Sequence, residues 1–235
     1  MSDTNAKTID VRLFRFDPDS DTSPRYSGHT ISYDEHTTVL DLLETINYTA
    51  EPFSFLRDCR MFRCGSCGVK VNGEAMLACH KRVTDIAKSD ELVIEPLSSF
   101  PHVKDLLVDF STSMMQRNAL RPFPKAGCEG DKTLVLEESD SDVLRQYTAC
   151  SHCAICVEAC ASRVNPDWEA APNPMLLLDI ARLARDPRDD SSRVAEAEKY
   201  GLNQCDGCLE CERVCPMGIE IYELSVVCLR GLQQS

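Results

Sequence analysis

Cys205-Asp-Gly-Cys208-Leu-Glu-Cys211-Glu-Arg-Val-Cys215-Pro216 sets four thiols at offsets of 0, 3, 6 and 10 residues, with a proline directly after the last. Thiolates so spaced wrap three corners of a [4Fe–4S] cube from one tight loop, and the fourth is lent to a neighbouring cube. A lent ligand implies a second cube that lends one back. Cys150, Cys153, Cys156 and Cys160 repeat the same offsets 55 residues earlier. The pattern assigns Cys150, Cys153, Cys156 and Cys215 to one [4Fe–4S] cluster, and Cys160, Cys205, Cys208 and Cys211 to the other.

A third set stands nearer the start. Cys59-Arg-Met-Phe-Arg-Cys64-Gly-Ser-Cys67, followed by Cys79, has the C-x4-C-x2-C…C spacing of a plant-type [2Fe–2S] site. Gly65 and Gly68 let the backbone come close to such a cluster, so that amides can donate to sulfur. Structural zinc is the competing chemistry. Zinc is usually held by two separated pairs of ligands, which three clustered cysteines and a lone fourth fit poorly. His152, inside the first cube run, is expected to donate a hydrogen bond or face solvent, since four corners are already filled. Of the two cysteines left over, Cys128 reads as a free thiol in a loop and Cys228 as a core residue at an apolar helical position.

These loops need elements to hold them. Ile9, Val11 and Leu13 alternate with polar residues as in a half-buried strand, and a second strand is expected over 28–33. Thr38 caps a helix carrying Val39, Leu42, Leu43 and Ile46. Val69 to Val71 and Glu74 to Ala78 flank Asn72-Gly73, a strong hairpin signal that turns the chain back and delivers Cys79 to its loop. A further strand is expected over 91–97. Pro96, Ser98, Ser99 and Pro101 mark a boundary.

After that boundary, Val103, Leu106, Leu107, Phe110 and Met114 follow a helical stripe expected to pack in a core. Residues 121–142 read as a loop, with Ser139 to Asp142 capping a helix into Cys150. Asn173-Pro174 starts another helix, 192–200 a third, and 219–232 a last one that turns Ile221, Leu224, Val227, Cys228 and Leu232 inward. Cys160 and Cys215 are expected at the starts of helices. The fold class is α+β. A β-grasp, plant-type ferredoxin domain over 1–100 is followed by an all-helical, bacterial-type ferredoxin domain over 101–235.

The 235 residues carry 43% hydrophobic and 27% charged side chains, the balance of a globular protein. A net charge of −13 argues against nucleic acid, which needs a basic footprint, and against a direct grip on anionic lipid. No apolar run reaches the length of a membrane span. Residues 1–10 are polar, so a cytoplasmic protein is expected, where cysteines serve metals rather than disulfides. There is no G-x-G-x-x-G, P-loop or nucleophile elbow. Three clusters without a catalytic constellation describe a conduit for electrons.

The chain resembles the iron–sulfur subunit of succinate dehydrogenase and fumarate reductase over nearly its whole length. Phe55-Leu-Arg-Asp-Cys59-Arg60, Cys64-Gly-Ser-Cys67, Asn72-Gly73 and Leu77-Ala-Cys79 look like its [2Fe–2S] domain. Pro101-His-Val-Lys-Asp-Leu-Leu-Val-Asp109 looks like its inter-domain helix, and Asn165-Pro166-Asp167 and Cys215-Pro-Met-Gly218 are similar too. The resemblance implies electron relay between a flavoprotein subunit, which carries the FAD and interconverts succinate and fumarate, and a membrane anchor that handles quinone. It implies a peripheral place at the cytoplasmic face of the cell membrane, held by partner subunits.

Two departures stand out. The family usually has a three-iron cluster on cysteines matching Cys160, Cys205 and Cys211, with a non-cysteine where Cys208 stands. Cys208 restores the fourth corner, so one [2Fe–2S] and two [4Fe–4S] clusters are expected, the last at a lowered potential. After Cys160 the family usually has proline and a tryptophan pair at the quinone pocket. This chain reads Ala-Ser-Arg-Val164 with a single Trp168 further on, which points to a different membrane partner. The rival readings are a different flavoprotein dehydrogenase, a heterodisulfide- or thiol-linked fumarate reductase, and a free ferredoxin-like carrier. The thiol-linked type is expected to carry a cysteine-rich extension, which is not found before Ser235. The size of the chain weighs against a free carrier.

Overall fold

The computed structural model describes residues 7–120, 138–164, 172–186, 189 and 192–233, apart from the side chains of 162–164. Cys128, Trp168, the motif at 165–167 and most of the expected 121–142 loop lie outside the described residues. By its contacts the chain divides into two compact units. One is Met1–Asp109 with Ser151–Ile155, and the other is Phe110–Cys150 with Cys156–Ser235.

The first unit is built on β1 (Lys7–Arg15), whose alternation buries Ile9, Val11 and Leu13. It pairs antiparallel with β2 (Arg25–Tyr33) and parallel with β5 (Glu91–Glu95). β3 (Gly68–Val71) and β4 (Glu74–Leu77) form the expected hairpin. Asn72 and Gly73 stand at φ of 50° and 81°, the doubly left-handed turn that matches strand twist. The strand order is β2-β1-β5-β3-β4. α1 (Val39–Thr49) buries Val39, Leu40, Leu42, Leu43 and Ile46, and a capping box fixes its start. There the Asp41 amide donates to Thr38 Oγ1 at 3.2 Å and the Thr38 amide to Asp41 Oδ2 at 2.8 Å. A one-turn helix, α2 (Val83–Ile86), leads to β5. This mixed sheet with its helix is the β-grasp plan.

Residues 102–108 correct the sequence reading. They form a small hairpin, β6 (His102–Lys104) and β7 (Leu107–Val108), where a helix was expected. The cause is Asp105, a buried residue in the left-handed region at φ 48°. Its carboxylate accepts from Arg15 Nε at 3.0 Å, the Phe16 amide at 3.3 Å and the Ser54 amide at 2.8 Å. A buried carboxylate with three donors outweighs local helical periodicity. Helix α3 (Ser111–Ala119) begins only afterwards, and Met114 is 51% exposed rather than packed in a core.

Residues 151–155 close over the first unit. An added Cβ on Gly65 would fall 2.8 Å from Cys153 Cα, and one on Gly68 would lie 3.1 Å from Leu97 Cδ1 and 3.3 Å from Ile155 Cδ1. Ile155 is fully buried.

Among its described residues the second unit is helical. It holds α3, α4 (Glu138–Thr148), most of α5 (Ile155–Val164), α6 (Pro174–Arg185), α7 (Val194–Lys199), α8 (Glu210–Arg213), a π-helix (Tyr222–Val227) and α9 (Cys228–Gln233). Ser139 lies within the described α4 rather than ahead of it. α6 is buried over most of its length, from Pro174 to Ala181 and at Leu183. Its cap Asn173 accepts from the Leu176 amide at 3.1 Å, and its buried Asp179 is paired with Arg117 Nε at 3.1 Å.

The last helical stretch also corrects an expectation. Val227 and Leu232 are exposed at 40% and 43%, while Ser225, Val226 and Leu229 are buried. A π-turn holds an extra residue, so the inward stripe slips by one position. The tyrosine hydroxyl of Tyr147 donates to the Leu224 carbonyl at 2.8 Å and so satisfies part of the irregular winding. Cys228 is half-buried rather than fully enclosed.

Candidate iron–sulfur centres

The Cys59 loop is clamped from α1. Glu44, buried, accepts from Arg57 and from Arg60 Nη2 at 2.7 Å on either side of Cys59. Arg60, Phe62 and Gly65 are left-handed, at φ of 57°, 47° and 73°. Such turns gather successive amides into an anion-binding hollow. The Met61, Arg63 and Cys64 amides all donate to Cys59 Sγ, at 3.4, 3.4 and 3.3 Å. The Phe62 amide donates to Cys79 Sγ at 3.2 Å, and the Cys79 amide to Cys67 Sγ at 3.5 Å. These bonds tie the hairpin to the loop and bring Cys59, Cys64, Cys67 and Cys79 together.

Those contacts favour thiolate at one end of the site only. The Met61 and Cys64 amides lower the Cys59 thiol to about 7. Burial, with Cys79 and Cys64 close by, pushes Cys67 up to about 12. A buried thiol of that kind ionises only when it gains a cation, which fits a metal ligand.

The two cube runs share one backbone. His152 and Ala154 are left-handed in the first, at φ of 53° and 61°; Gly207 and Leu209 are left-handed in the second, at 75° and 62°. These pairs are themselves 55 residues apart, so conformation repeats with the cysteines. Left-handed backbone costs a non-glycine residue about 1–2 kcal/mol, and three of the four positions bear that cost. Cys150 follows α4, and Cys156 lies in the first turn of α5. Cys160 lies inside α5 rather than at its start, and Cys215 sits in the turn after α8, where its Sγ accepts from the Ile219 amide at 3.5 Å. The grouping of Cys215 with Cys150, Cys153 and Cys156 rests on spacing.

The other four thiols meet in the second unit. Cys160, Cys205, Cys208 and Cys211 line one cavity. Burial pushes the Cys211 thiol up to about 12, with Glu212 and then Cys160, Cys205 and Cys208 adding to the rise. Arg230 of α9 holds the loop entrance by donating to the Leu202 carbonyl at 3.0 Å and the Cys205 carbonyl at 2.7 Å. Among the described residues, no three or more His, Cys, Asp or Glu side chains are grouped as a single bound ion would require. Thiols spaced around a cavity suit a group several atoms across. The residues present therefore fit an iron–sulfur cluster at this site.

Two family models match the chain: a 2Fe-2S iron-sulfur cluster binding domain over residues 10–115 and a 4Fe-4S dicluster domain over 146–219. The fumarate reductase iron-sulfur subunit of Haemophilus influenzae is 30% identical, over 92% of this chain and 90% of that protein. The chain belongs to the iron–sulfur subunits of the succinate dehydrogenase and fumarate reductase family. A fumarate reductase (CoM/CoB) polypeptide from Methanothermobacter marburgensis is 34% identical over 95% of this chain. The chain spans only 44% of that protein's length, and 39% of the length of two further relatives. A structure of the Mycobacterium smegmatis Sdh1 complex in the apo form shares the fold, with a TM-score of 0.85 at 24% identity over 96% of this chain and 95% of its own.

For this family member the architecture is a [2Fe–2S] ferredoxin-like β domain followed by a helical 4Fe–4S dicluster domain. No helix among the described residues is long and apolar enough to cross a membrane. Several contributors were not singled out from sequence. Glu44 gave no signal beyond lying on α1, and Arg230 none beyond a basic residue near a helix end. His152 was noted only as a donor or solvent-facing residue, whereas its left-handed backbone is the structural feature.

Proposed function

We propose that this chain is the electron-transfer subunit of a succinate dehydrogenase or fumarate reductase complex. It relays electrons between a flavoprotein subunit, which holds FAD, and a membrane-bound, quinone-reactive partner at the cytoplasmic face. Iron–sulfur clusters, when bound, supply one-electron redox chemistry. The chain's residues do the holding. Cys59, Cys64, Cys67 and Cys79 would hold a [2Fe–2S] cluster; Cys150, Cys153, Cys156 and Cys215 the first [4Fe–4S]; and Cys160, Cys205, Cys208 and Cys211 the second. The amides around Cys59 stabilise thiolate, and the second-unit cavity gives its four thiols a largely apolar surround. Met61 and Phe62 stand exposed on the Cys59 loop and give a partner an apolar foothold beside the first site.

The observation that carries the two-cube reading is the cavity in which Cys208 stands with Cys160, Cys205 and Cys211. Protein purified without oxygen should contain about ten irons and ten acid-labile sulfides per chain. Cys208→Ser should convert the second cube to a three-iron form, visible by electron paramagnetic resonance in the oxidised protein. About nine irons and a three-iron signal in the unaltered protein would refute the role of Cys208.

A second reading is favoured by the similarity to the CoM/CoB fumarate reductase polypeptide. The same wire would then serve a thiol-linked flavoprotein instead of a quinone. Reduction of the bound clusters by a thiol pair, against reduction by a quinol, separates the two.

A further inference from the structure

The thiols of the second-unit cavity share its wall with Pro172, Pro174, Leu177, Leu209, Ile221 and Val226, all apolar. Three other residues on the wall are polar: Asp206, Tyr222 and Ser225. The Asp206 carboxylate accepts from the Cys208 amide at 3.2 Å. The Ser225 hydroxyl donates back to the Ile221 carbonyl. Tyr222 differs. Among the described residues its phenol hydroxyl has no hydrogen-bond partner, although it lines a cavity bearing four sulfur atoms.

The position of that hydroxyl is set from two sides. An added Cβ on Gly207 would lie 3.2 Å from both Cζ and Oη of Tyr222, so the phenol end rests on the loop midway between Cys205 and Cys208. The Tyr222 amide donates to Glu212 Oε1 at 2.7 Å, which ties the residue to the helix that follows Cys208. The π-helix, with Ile221 just before it, then presents Ile221, Tyr222, Ser225 and Val226 to the same cavity. Such windings recur at functional sites because they re-aim side chains.

We propose that the Tyr222 hydroxyl donates a hydrogen bond to the sulfur shell of the group held by Cys160, Cys205, Cys208 and Cys211, and thereby raises its reduction potential. This rests on the reading that those four thiols hold an iron–sulfur cluster. Reduction adds negative charge to sulfur, so a donor stabilises the reduced form more than the oxidised one. Hydrogen bonds to sulfur are one of the levers by which a protein sets such a potential. In an otherwise apolar wall few other protein groups compete for that donor. Tyr222 opposes the lowered potential expected from a four-iron cluster in place of a three-iron one.

The test is a redox titration of the full chain, purified without oxygen and followed by electron paramagnetic resonance. In Tyr222→Phe the iron content should stay unchanged, the potential of the second cube should shift downward, and the other two clusters should keep theirs. Replacing Tyr222 by 3-fluorotyrosine keeps a phenol donor at that place and should hold the potential near that of the unaltered protein. Full iron with an unshifted potential in Tyr222→Phe overturns the proposal. If neither variant retains the second cube, Tyr222 is a packing residue and the proposal fails. An unaltered protein that lacks the second cube refutes the ligand assignment itself, and the Tyr222 proposal falls with it.

Discussion

Cys59 is an exposed-loop thiol surrounded by amide donors, and its chemistry without metal follows from them. The native loop lowers it to about 7 from an ordinary value of 9. In metal-free protein iodoacetamide should therefore label Cys59 half-maximally near pH 7, while Cys67 and Cys211, raised by burial, resist through about pH 9. Peptide mass spectrometry across that range checks the order; one shared pH profile for all three thiols would contradict it. The sign for stability is the same. A native thiolate favoured over the unfolded one stabilises the metal-free loop above about pH 9, and that stabilisation is lost as pH falls through 7. At this scale the sequence was half legible. Ligand types and offsets were readable because cluster chemistry dictates them. The left-handed backbone at His152, Ala154 and Leu209 was not. Glycine at 207 is a local signal, but the other three positions carry side chains that ordinarily avoid that region. Left-handed turns of this kind gather successive amides into one hollow.

At the scale of elements, α9 is the brace of the second cysteine loop. Arg230 spans from it to two loop carbonyls. Arg230→Ala should cost about 1–3 kcal/mol locally and should make the second cube the first lost on dilution or mild chelation. The [2Fe–2S] absorbance should stay, and equal loss of all clusters would show the brace to be global instead. Strand alternation, the Asn72-Gly73 turn and the caps at Thr38 and Asn173 were legible because each is fixed within a few residues. The hairpin at 102–108 was not. Its reason is Asp105 meeting Arg15 and Ser54, partners far away in sequence. The inward stripe after Ile219 was misread for another reason. Periodicity arguments assume α-winding, and the π-turn at Tyr222–Val227 breaks that assumption without a glycine or proline to announce it.

In the whole molecule, the two units are interleaved in sequence. Ser151–Ile155 belongs with the β-sheet unit although it sits inside the first cube run. Ile155→Ala, in a helix of the cysteine run, should therefore weaken the sheet unit. Removing a fully buried isoleucine beside Gly68 and Leu97 costs about 2–4 kcal/mol. Hydrogen exchange should register the loosening in β3 and β5; protection unchanged in those strands would be evidence that the packing is incidental. This interleaving was invisible in the sequence, where Pro96 to Pro101 suggested a clean cut.

The same five residues bear on the order of events at the ribosome. The sheet unit cannot be finished when its own stretch of chain has emerged, because its closing piece is translated some forty residues after Asp109. A nascent polypeptide halted anywhere in that interval would present the Gly65 and Gly68 faces bare. Delivery of iron to the earliest cysteines would then compete with arrival of the segment that seals them in.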